Sequence, residues 1–252
     1  MVSLIDGLGT PEPSWQAWPG LAALDNFDLH PLPASAVVVA PHPDDEVLGV
    51  GGTLALLRTA GVSVRVVAVS DGEASHPHSR TVTPTELAEI RRAEQNIALG
   101  RLGLGRLGLG RCEVHRCGLP DGHLDRYEAD LADTLSRLLD ERTWCLTTWA
   151  RDGHPDHEAT GRSAATAAGR TGARLLSFPV WTWHWAQPAD PRVPWSTARR
   201  VPLPPMIAHA KRHAVHAFAS QLEPLSAQPG DEAILASHVL ARLTRDYEVI
   251  LL

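Results

Sequence analysis

Two segments of this chain share one design, and that design narrows the folds open to it. The first is Val37-Val38-Val39-Ala40 running into Pro41-His42-Pro43-Asp44-Asp45-Glu46. The second is Trp144 to Trp149 running into Arg151-Asp152-Gly153-His154-Pro155-Asp156-His157-Glu158. The first is a short, unbroken apolar run and the second also reads as a strand, and each ends in a dense knot of His, Pro and carboxylates. Each knot is followed by a segment that reads as a helix, Val47 to Ala60 stopped by Gly61 in the first case and Glu158 to about Ala168 in the second. A short, unbroken, β-branched run is the pattern of a strand buried on both faces of a parallel sheet. In open sheets of that kind ligands bind beyond the carboxyl ends of the strands. Asp44, Asp45 and Glu46 also fall near the positive end of a helix dipole, which favours ionised carboxylates.

The composition of the knots points to metal chemistry. His42 and Asp45 stand three apart across a turn, so both side chains can face one centre, and imidazole nitrogen and carboxylate oxygen are ordinary zinc ligands at roughly 2.0–2.2 Å. Two protein ligands are too few. His154 and His157, three apart at a helix start, offer the missing one; either completes a His-Asp-His set, and the other can stand beside it as a donor held by Asp156. Asp44 need not be a ligand, because a carboxylate next to an activated water is the expected general base of a metal hydrolase. The plainer reading makes each knot a solvated helix N-terminus, but it must then hold twice, at two strand-to-helix junctions.

The remaining segments fill in an alternating chain. Val62 to Ser70 reads as a second buried strand that ends in Asp71-Gly72-Glu73, where Asp71 either touches ligand or caps the turn. Ala74 to Val82, with His76 and His78, reads as a mobile polar loop. Thr83-Pro84-Thr85-Glu86 is a capped helix start. The helix it opens runs to Leu99, with Leu87, Ile90 and Ile97 as its inward stripe and Arg91 and Glu94 on or near the same side. Residues 100–111, GRLGLGRLGLGR, read as a loop without assigned function. Cys112 to Cys117 is a short strand, and Leu124 to Leu138 has helical spacing. Arg174 to Val180 is a further strand. Strict alternation over Val180 to Trp185 would put Trp181, Trp183 and Trp185 on one face, as core, as subunit interface or as a wall for a sugar ring. After a proline-rich loop, Ile207–Ala219 and Asp231–Arg245 read as helices and Tyr247–Leu252 as a closing strand. The expectation is an α/β fold, a single-domain, mostly parallel Rossmann-like sheet with helices on both faces. It occupies residues 35–252 behind an N-terminal extension, 1–34, whose Trp15, Trp18, Leu21, Leu24 and Phe27 pack on the domain or on another subunit.

Composition removes several classes. The net charge is −6 with no basic block, which argues against nucleic acid or an anionic membrane as partner. No apolar run reaches the ~18 residues of a membrane span, and the first 34 residues do not read as a signal peptide. The three cysteines form no CxxC pair, so they read as reduced packing residues. The expectation is a cytoplasmic homo-oligomer acting on a small molecule.

The two knots, PHPDDE and HPDH, resemble the zinc-dependent PIG-L/LmbE-like deacetylases, which remove acetyl from N-acetylglucosamine-type substrates. The resemblance covers roughly residues 35–225. Asp71-Gly72-Glu73, the Arg91/Glu94 pair, the Leu-Pro-Asp-Gly turn at 119–122, and Lys211 with Ser220-Gln221 support it. By that resemblance His42, Asp45 and His157 hold Zn2+ or another divalent ion such as Fe2+. Asp44 is the general base, His154 stabilises the oxyanion with Asp156 as its partner, and Arg91 contacts an N-acetylated aminosugar. Phe218 stands where the family often has His. Two other classes compete: a non-haem iron oxygenase, whose facial triad is also two His and one carboxylate, and a nucleotide-binding module built on Gly49-Val50-Gly51-Gly52, which comes too late after its strand.

Overall fold

The computed structural model of the protein describes residues 4–105 and 112–252. Helices α1 (Glu12–Gln16) and α2 (Pro19–Ala22) precede strand β1 (Ser35–Ala40), helix α3 (Asp45–Thr59) and strand β2 (Ser63–Ala68). Next come α4 (Pro84–Arg101), β3 (Glu113–Arg116), α5 (Glu128–Ser136), β4 (Thr143–Thr148), α6 (Pro155–Thr171) and β5 (Arg174–Phe178). The last third holds α7 (Thr182–Trp185), β6 (Ala198–Pro202), α8 (Pro205–Val215), α9 (Ala219–Leu222), α10 (Ser237–Leu243) and β7 (Tyr247–Leu251). The seven strands form one sheet in the order β3-β2-β1-β4-β5-β7-β6. The five from β3 to β5 are parallel, and β7 runs antiparallel to both β5 and β6. The chain walks outward from β1 to β3, then returns to lay β4 on the other side of β1. The crevice at that reversal is where open α/β sheets bind ligands.

The unbroken apolar runs follow from two cores. Ala36 and Val38 of β1 belong to one, with Val50 and Leu54 of α3 and Ala214 and Val215 of α8. Val37 and Val39 belong to the other, with Leu131 and Leu135 of α5 and Ala164 and Ala167 of α6. Both faces of the strand are therefore covered. Segment 12–27 packs on the same chain: Trp15 is wholly buried, and its ring meets Trp183, Trp18 and Trp195 at centroid separations of 5.1, 6.2 and 5.8 Å. Among the described residues no helix is long and apolar enough to cross a membrane.

Helix α4 begins as expected, with Thr83 and Glu86 closing a capping box. Its inward stripe differs. Ile90 and Ile97 face solvent, and the buried face is Leu87, Ala88, Arg91, Glu94, Gln95, Ala98 and Leu99. The polar members are buried because each has a partner: Gln95 donates to Glu46, and Glu94 accepts from the amide and hydroxyl of Ser220. Three other segments also depart from expectation. Val180 to Trp185 is a helical turn, not an alternating strand, because the Asp152 carboxylate accepts the amides of Val180, Trp181 and Thr182 and so starts a turn there. The helix expected over 231–245 is confined to Ser237–Leu243. Asp231 instead ties its loop to Ser226 and Thr81. The helix expected over 207–219 is divided, α8 ending at Val215 and α9 beginning at Ala219. Of the 100–111 repeat, residues 106–111 lie outside the described residues.

Helix α3 is broken within its first turns. Val50 has φ −139° and ψ 17°, so the chain leaves helical geometry and re-enters it. A break of this kind exposes carbonyls on one side and amides on the other, which must be satisfied when buried. Lys211 Nζ donates to the Leu48 carbonyl at 2.8 Å. Glu248 accepts from the amides of Gly52 and Thr53, both at 2.7 Å, and from the Thr53 hydroxyl. Lys211 and Glu248 then pair with each other at 2.7 Å, both almost wholly buried. One ion pair thus splices two helical segments. The glycines around the break are packing residues rather than a phosphate loop: a Cβ at Gly49 would sit 2.1 Å from Phe178, and one at Gly52 2.6 Å from Leu203.

Removing one member of a buried pair strands the other charge, which typically costs ~3–5 kcal/mol. Lys211→Met is expected to lower unfolding free energy by about that amount, read from urea titration. A loss below ~1 kcal/mol would mean that the splice is not stabilising.

Candidate metal and catalytic centre

Parallel pairing of β1 with β4, in the register Val39↔Thr147, sets the two knots side by side. One oxygen collects both. Asp45 Oδ2 lies 3.2 Å from His42 Nδ1 and 3.3 Å from His157 Nε2, and it also accepts the His42 amide at 3.1 Å. His42, Asp45 and His157 are all buried, and their ligand atoms lie within 4.8 Å of one another. His157 Nδ1 is 2.8 Å from Asp152 Oδ2, which places the ring's proton on Nδ1. Nε2, fully buried, then presents a lone pair and makes no hydrogen bond. His42 Nε2 is engaged by Asp121 at 3.1 Å and Asp156 at 3.3 Å, so its Nδ1 also turns a lone pair inward. Two nitrogen lone pairs and a carboxylate oxygen facing one point repel unless positive charge sits among them. This donor set fits a divalent cation.

The charges agree. Burial disfavours the Asp45 carboxylate, but His157 and His42 override it and hold its pKa far below the usual range. Burial likewise opposes charge on both histidines. Asp121, Asp156 and Asp45 nevertheless raise His42 well above its ordinary value, and Asp45 and Asp152 raise His157 to about 9. The cluster draws positive charge in.

Asp44, next in the chain, is held apart from this set. It opens α3 with φ +152°, a region that residues with a Cβ rarely adopt, and such strain is characteristically stored where a side chain must be aimed. Its amide donates to Glu46 Oε2, while Arg91 Nη2 donates to the Pro43 carbonyl at 3.2 Å and to Asp44 Oδ2 at 3.1 Å. Arg91 Nη1 reaches the Gly72 carbonyl at 2.9 Å. Gly72 itself, at φ +72°, leaves room for that guanidinium; a Cβ there would lie 2.2 Å from it. Burial pushes the Asp44 carboxyl up to about 7 against the pull of Arg91, with Asp45 adding to the rise.

His154 stands over the same cleft, its ring centroid 5.0 Å from His42 and 4.9 Å from His157. Its Nδ1 accepts the Asp156 amide at 3.2 Å. The neutral ring therefore carries its proton on Nε2. Burial, then the charges of His157 and His42, depress its pKa to about 3. The sequence pairs His154 with Asp156, and in the structure it is the Asp156 amide that donates to the ring. The Asp156 carboxylate accepts the amides of Gly122 and Leu124 and faces His42, so it anchors the 119–124 turn, while lying within 4.8 Å of a His154 ring nitrogen. Asp71, read as touching ligand or capping its turn, pairs with Arg92 at 2.8 Å and Arg116 at 3.2 Å.

Two residues went unread. Asp152 is wholly buried and orients His157 while fixing the turn at 180–182. Its signal lay inside the second knot, because a metal-binding histidine regularly gives its other N–H to a carboxylate. Asp121, in the Leu-Pro-Asp-Gly turn, faces His42 and accepts the Ala74 amide. The turn is a recognisable motif, but only the fold brings its Asp to β1. The cleft over these groups measures about 610 Å³ and is lined by His42, Asp44, Asp45, Arg91, Asp121 and His154 among others.

Comparison with known proteins gives a match to the family described as PIG-L, GlcNAc-PI de-N-acetylase, over residues 37–168, just over half the chain. A 1D-myo-inositol 2-acetamido-2-deoxy-α-D-glucopyranoside deacetylase of Mycobacterium sp. (strain KMS) is 33% identical over 163 residues, 57% of this chain and 53% of that protein. A probable N-acetyl-α-D-glucosaminyl L-malate deacetylase 2 of Bacillus cereus is 30% identical over 140 residues, 53% of this chain and 60% of that protein. The chain thus matches between half and two thirds of the length of these relatives. In fold, it resembles N,N'-diacetylchitobiose deacetylase from Pyrococcus horikoshii, with TM-score 0.58 and 20% identity, covering 76% of this chain and 73% of that one.

Asp152→Asn keeps the size of the side chain but removes the charge that orients His157. Loss of such a partner typically weakens metal binding ~10–100-fold. Competition with a fluorescent chelator should read that loss while circular dichroism stays native. Undiminished affinity would separate Asp152 from the centre.

Proposed function

Because this chain belongs to the PIG-L family, described as GlcNAc-PI de-N-acetylase, we propose that it is a zinc-dependent N-deacetylase acting on an N-acetylglucosamine-type sugar conjugate. The observation that carries the reading is the convergence of His42, Asp45 and His157 on one point, with the buried His157 Nε2 lacking a hydrogen bond and Asp44 alongside. These three residues would hold the ion. Bound there, a divalent ion supplies a Lewis acid that polarises the amide carbonyl and acidifies a water.

The chain's own groups do the rest. Asp44 takes a proton from the attacking water at its carboxylate. Arg91 fixes that carboxylate through Oδ2, and burial brings its basicity close to neutral pH. Attack on the acetyl carbonyl develops negative charge on its oxygen; His154 lines the cleft with its Nδ1 taken by the Asp156 amide, which leaves Nε2–H as its donor for that oxygen. Neutral His154 donates without first having to gain a proton, as in other sites where an imidazole serves as electrophile. Collapse of the tetrahedral adduct breaks the C–N bond, and the amine leaves with the proton Asp44 accepted. The products are acetate and the free aminosugar. Arg91 acts here by holding Asp44. The parallel α/β sheet also favours this reading over an iron oxygenase of double-stranded β-helix type.

The reading is tested by incubating zinc-loaded protein with N-acetylated aminosugar conjugates and following acetate release and loss of the acetyl mass. No release from any conjugate would refute it. His157→Ala is expected to leave the protein without bound zinc by elemental analysis; full occupancy would remove His157 from the ligand set.

Asp44→Asn should retain zinc and lose about 10²–10⁴ of turnover, the usual effect of removing a general base. His154→Ala should retain zinc and lose about 10²–10³, the scale of one oxyanion donor. If either variant lost its zinc instead, that residue would belong to the ligand set.

A further inference from the structure

The floor and the walls of the cleft come from different parts of the chain. His42, Asp44, Asp45 and His154 form the floor at the strand ends, inside the span matched by the family. The walls include Ile5, Val180, Trp181, Ala233, Ile234 and Leu235, all outside that span. They arrive by separate routes. The N-terminal segment is strapped across α7, with the Thr10 amide on the His184 carbonyl at 2.8 Å and Arg242 on the Leu8 carbonyl, and this delivers Ile5 to the cleft. Trp181 is positioned by Asp152, which accepts its amide at 2.9 Å. Of the three tryptophans in its turn, Trp181 alone lines the cleft; Trp183 is buried among Trp15 and Trp195. Residues 233–235 are brought in by the Leu235 amide, which donates to the Gln221 carbonyl at 2.8 Å. Ile234 remains 37% exposed, a large apolar side chain left at the cleft without cover.

The polar complement of these walls is small. Gln221 and Ser75 line the cleft, but they hydrogen-bond each other at 3.3 Å. Among the described residues Arg91 is the one Arg or Lys side chain in the lining, and it is buried with its guanidinium given to Gly72, Pro43 and Asp44. The Asp121 carboxylate, also in the lining, is given to His42 at 3.1 Å. Apart from the metal centre itself, a carboxylate-bearing acceptor would find no free Lys or Arg in this lining, and a polyol would find few partners for its hydroxyls. A neutral apolar group would cover Trp181 and Ile234 and lose nothing. Clefts of 300–1,000 Å³ with mainly apolar walls and a few placed polar groups are the usual form of a site for such ligands.

We infer that the walls select an N-acetylated aminosugar glycoside whose aglycone is neutral and apolar, aryl or alkyl, rather than a polyol or a carboxylic acid. The inference rests on the deacetylase reading for its chemistry, but the walls can be probed without turnover.

The experiment has two arms on the zinc-loaded protein. In the first, acetate release is compared for octyl N-acetylglucosaminide and for the myo-inositol and L-malate conjugates of N-acetylglucosamine. In the second, calorimetry measures binding of the corresponding free amines. Each buried methylene is worth roughly fourfold in affinity, so the octyl compounds are expected to be favoured at least ~10-fold in both arms. Ile234→Asp and Trp181→Ala should each erase most of that preference while the thermal midpoint stays native. Equal or better binding of the inositol or malate amine would overturn the inference, whatever the turnover. Preferential octyl binding that both variants abolish, with no acetate released from any conjugate, would uphold the walls and refute the deacetylase reading instead. If neither variant changed the preference, these walls would not be its source.

Discussion

The centre depends on one pairing, the parallel contact of β1 with β4. These strands are separated by β2, β3 and three helices in sequence, yet neighbouring places in the sheet bring the loops that follow them out at the same level. Asp45 Oδ2 can then be shared by a histidine from each loop. Carboxylates around the two imidazoles also accept backbone amides from elsewhere: Asp152 from 180–182, Asp156 from Gly122 and Leu124, Asp121 from Ala74. The centre is therefore the fixed point to which the surrounding loops are attached. A buried carboxylate that accepts several amides is held rigidly, and the same bonds define the cleft above it.

What could be read from the sequence was whatever is encoded locally. Both knots, the five parallel strands and the capping box at Thr83 depend on runs and spacings of a few residues, and they stand in the structure near their expected bounds. The reading failed where a distant group decides the local conformation. Alternating Trp residues at 181–185 are a strand pattern, but a carboxylate from the second knot turns the chain there into a helix. Ile90 and Ile97 have the spacing of an inward stripe, but Arg91, Glu94 and Gln95 hold the inward face because partners from other elements satisfy them. Periodicity assumes that what is buried is apolar, and next to a charged centre that assumption fails.

In the site, the divide is similar. His42, Asp44, Asp45, His154 and His157 were visible because their residue types cluster within two short stretches. Asp152 was in plain view but lacked a role until its bond to His157 and the amides of 180–182 was seen. Asp121 stood out only as part of the Leu-Pro-Asp-Gly turn, with no role of its own, and Glu248 carries no local signal. Their importance lies in what the fold brings to them: an imidazole in one case, the open amides of a broken helix in the other.

That broken helix has a consequence in time. The first knot opens α3, and α3 is completed by Glu248, which lies 196 residues after Gly52. At ribosomal rates of ~5–20 residues per second, roughly 10–40 s pass between the emergence of the two. Throughout that interval the amides of Gly52 and Thr53 lack their acceptor. Lys211 can reach the Leu48 carbonyl earlier, but it arrives without its counter-ion. The nascent sheet can assemble β1 to β5 in order while the helix behind the first knot stays unjoined. A contact of such long range forms late in folding. The centre is thus assembled early in space and locked late, when β7 slides in against β5 and supplies the residue that closes the helix.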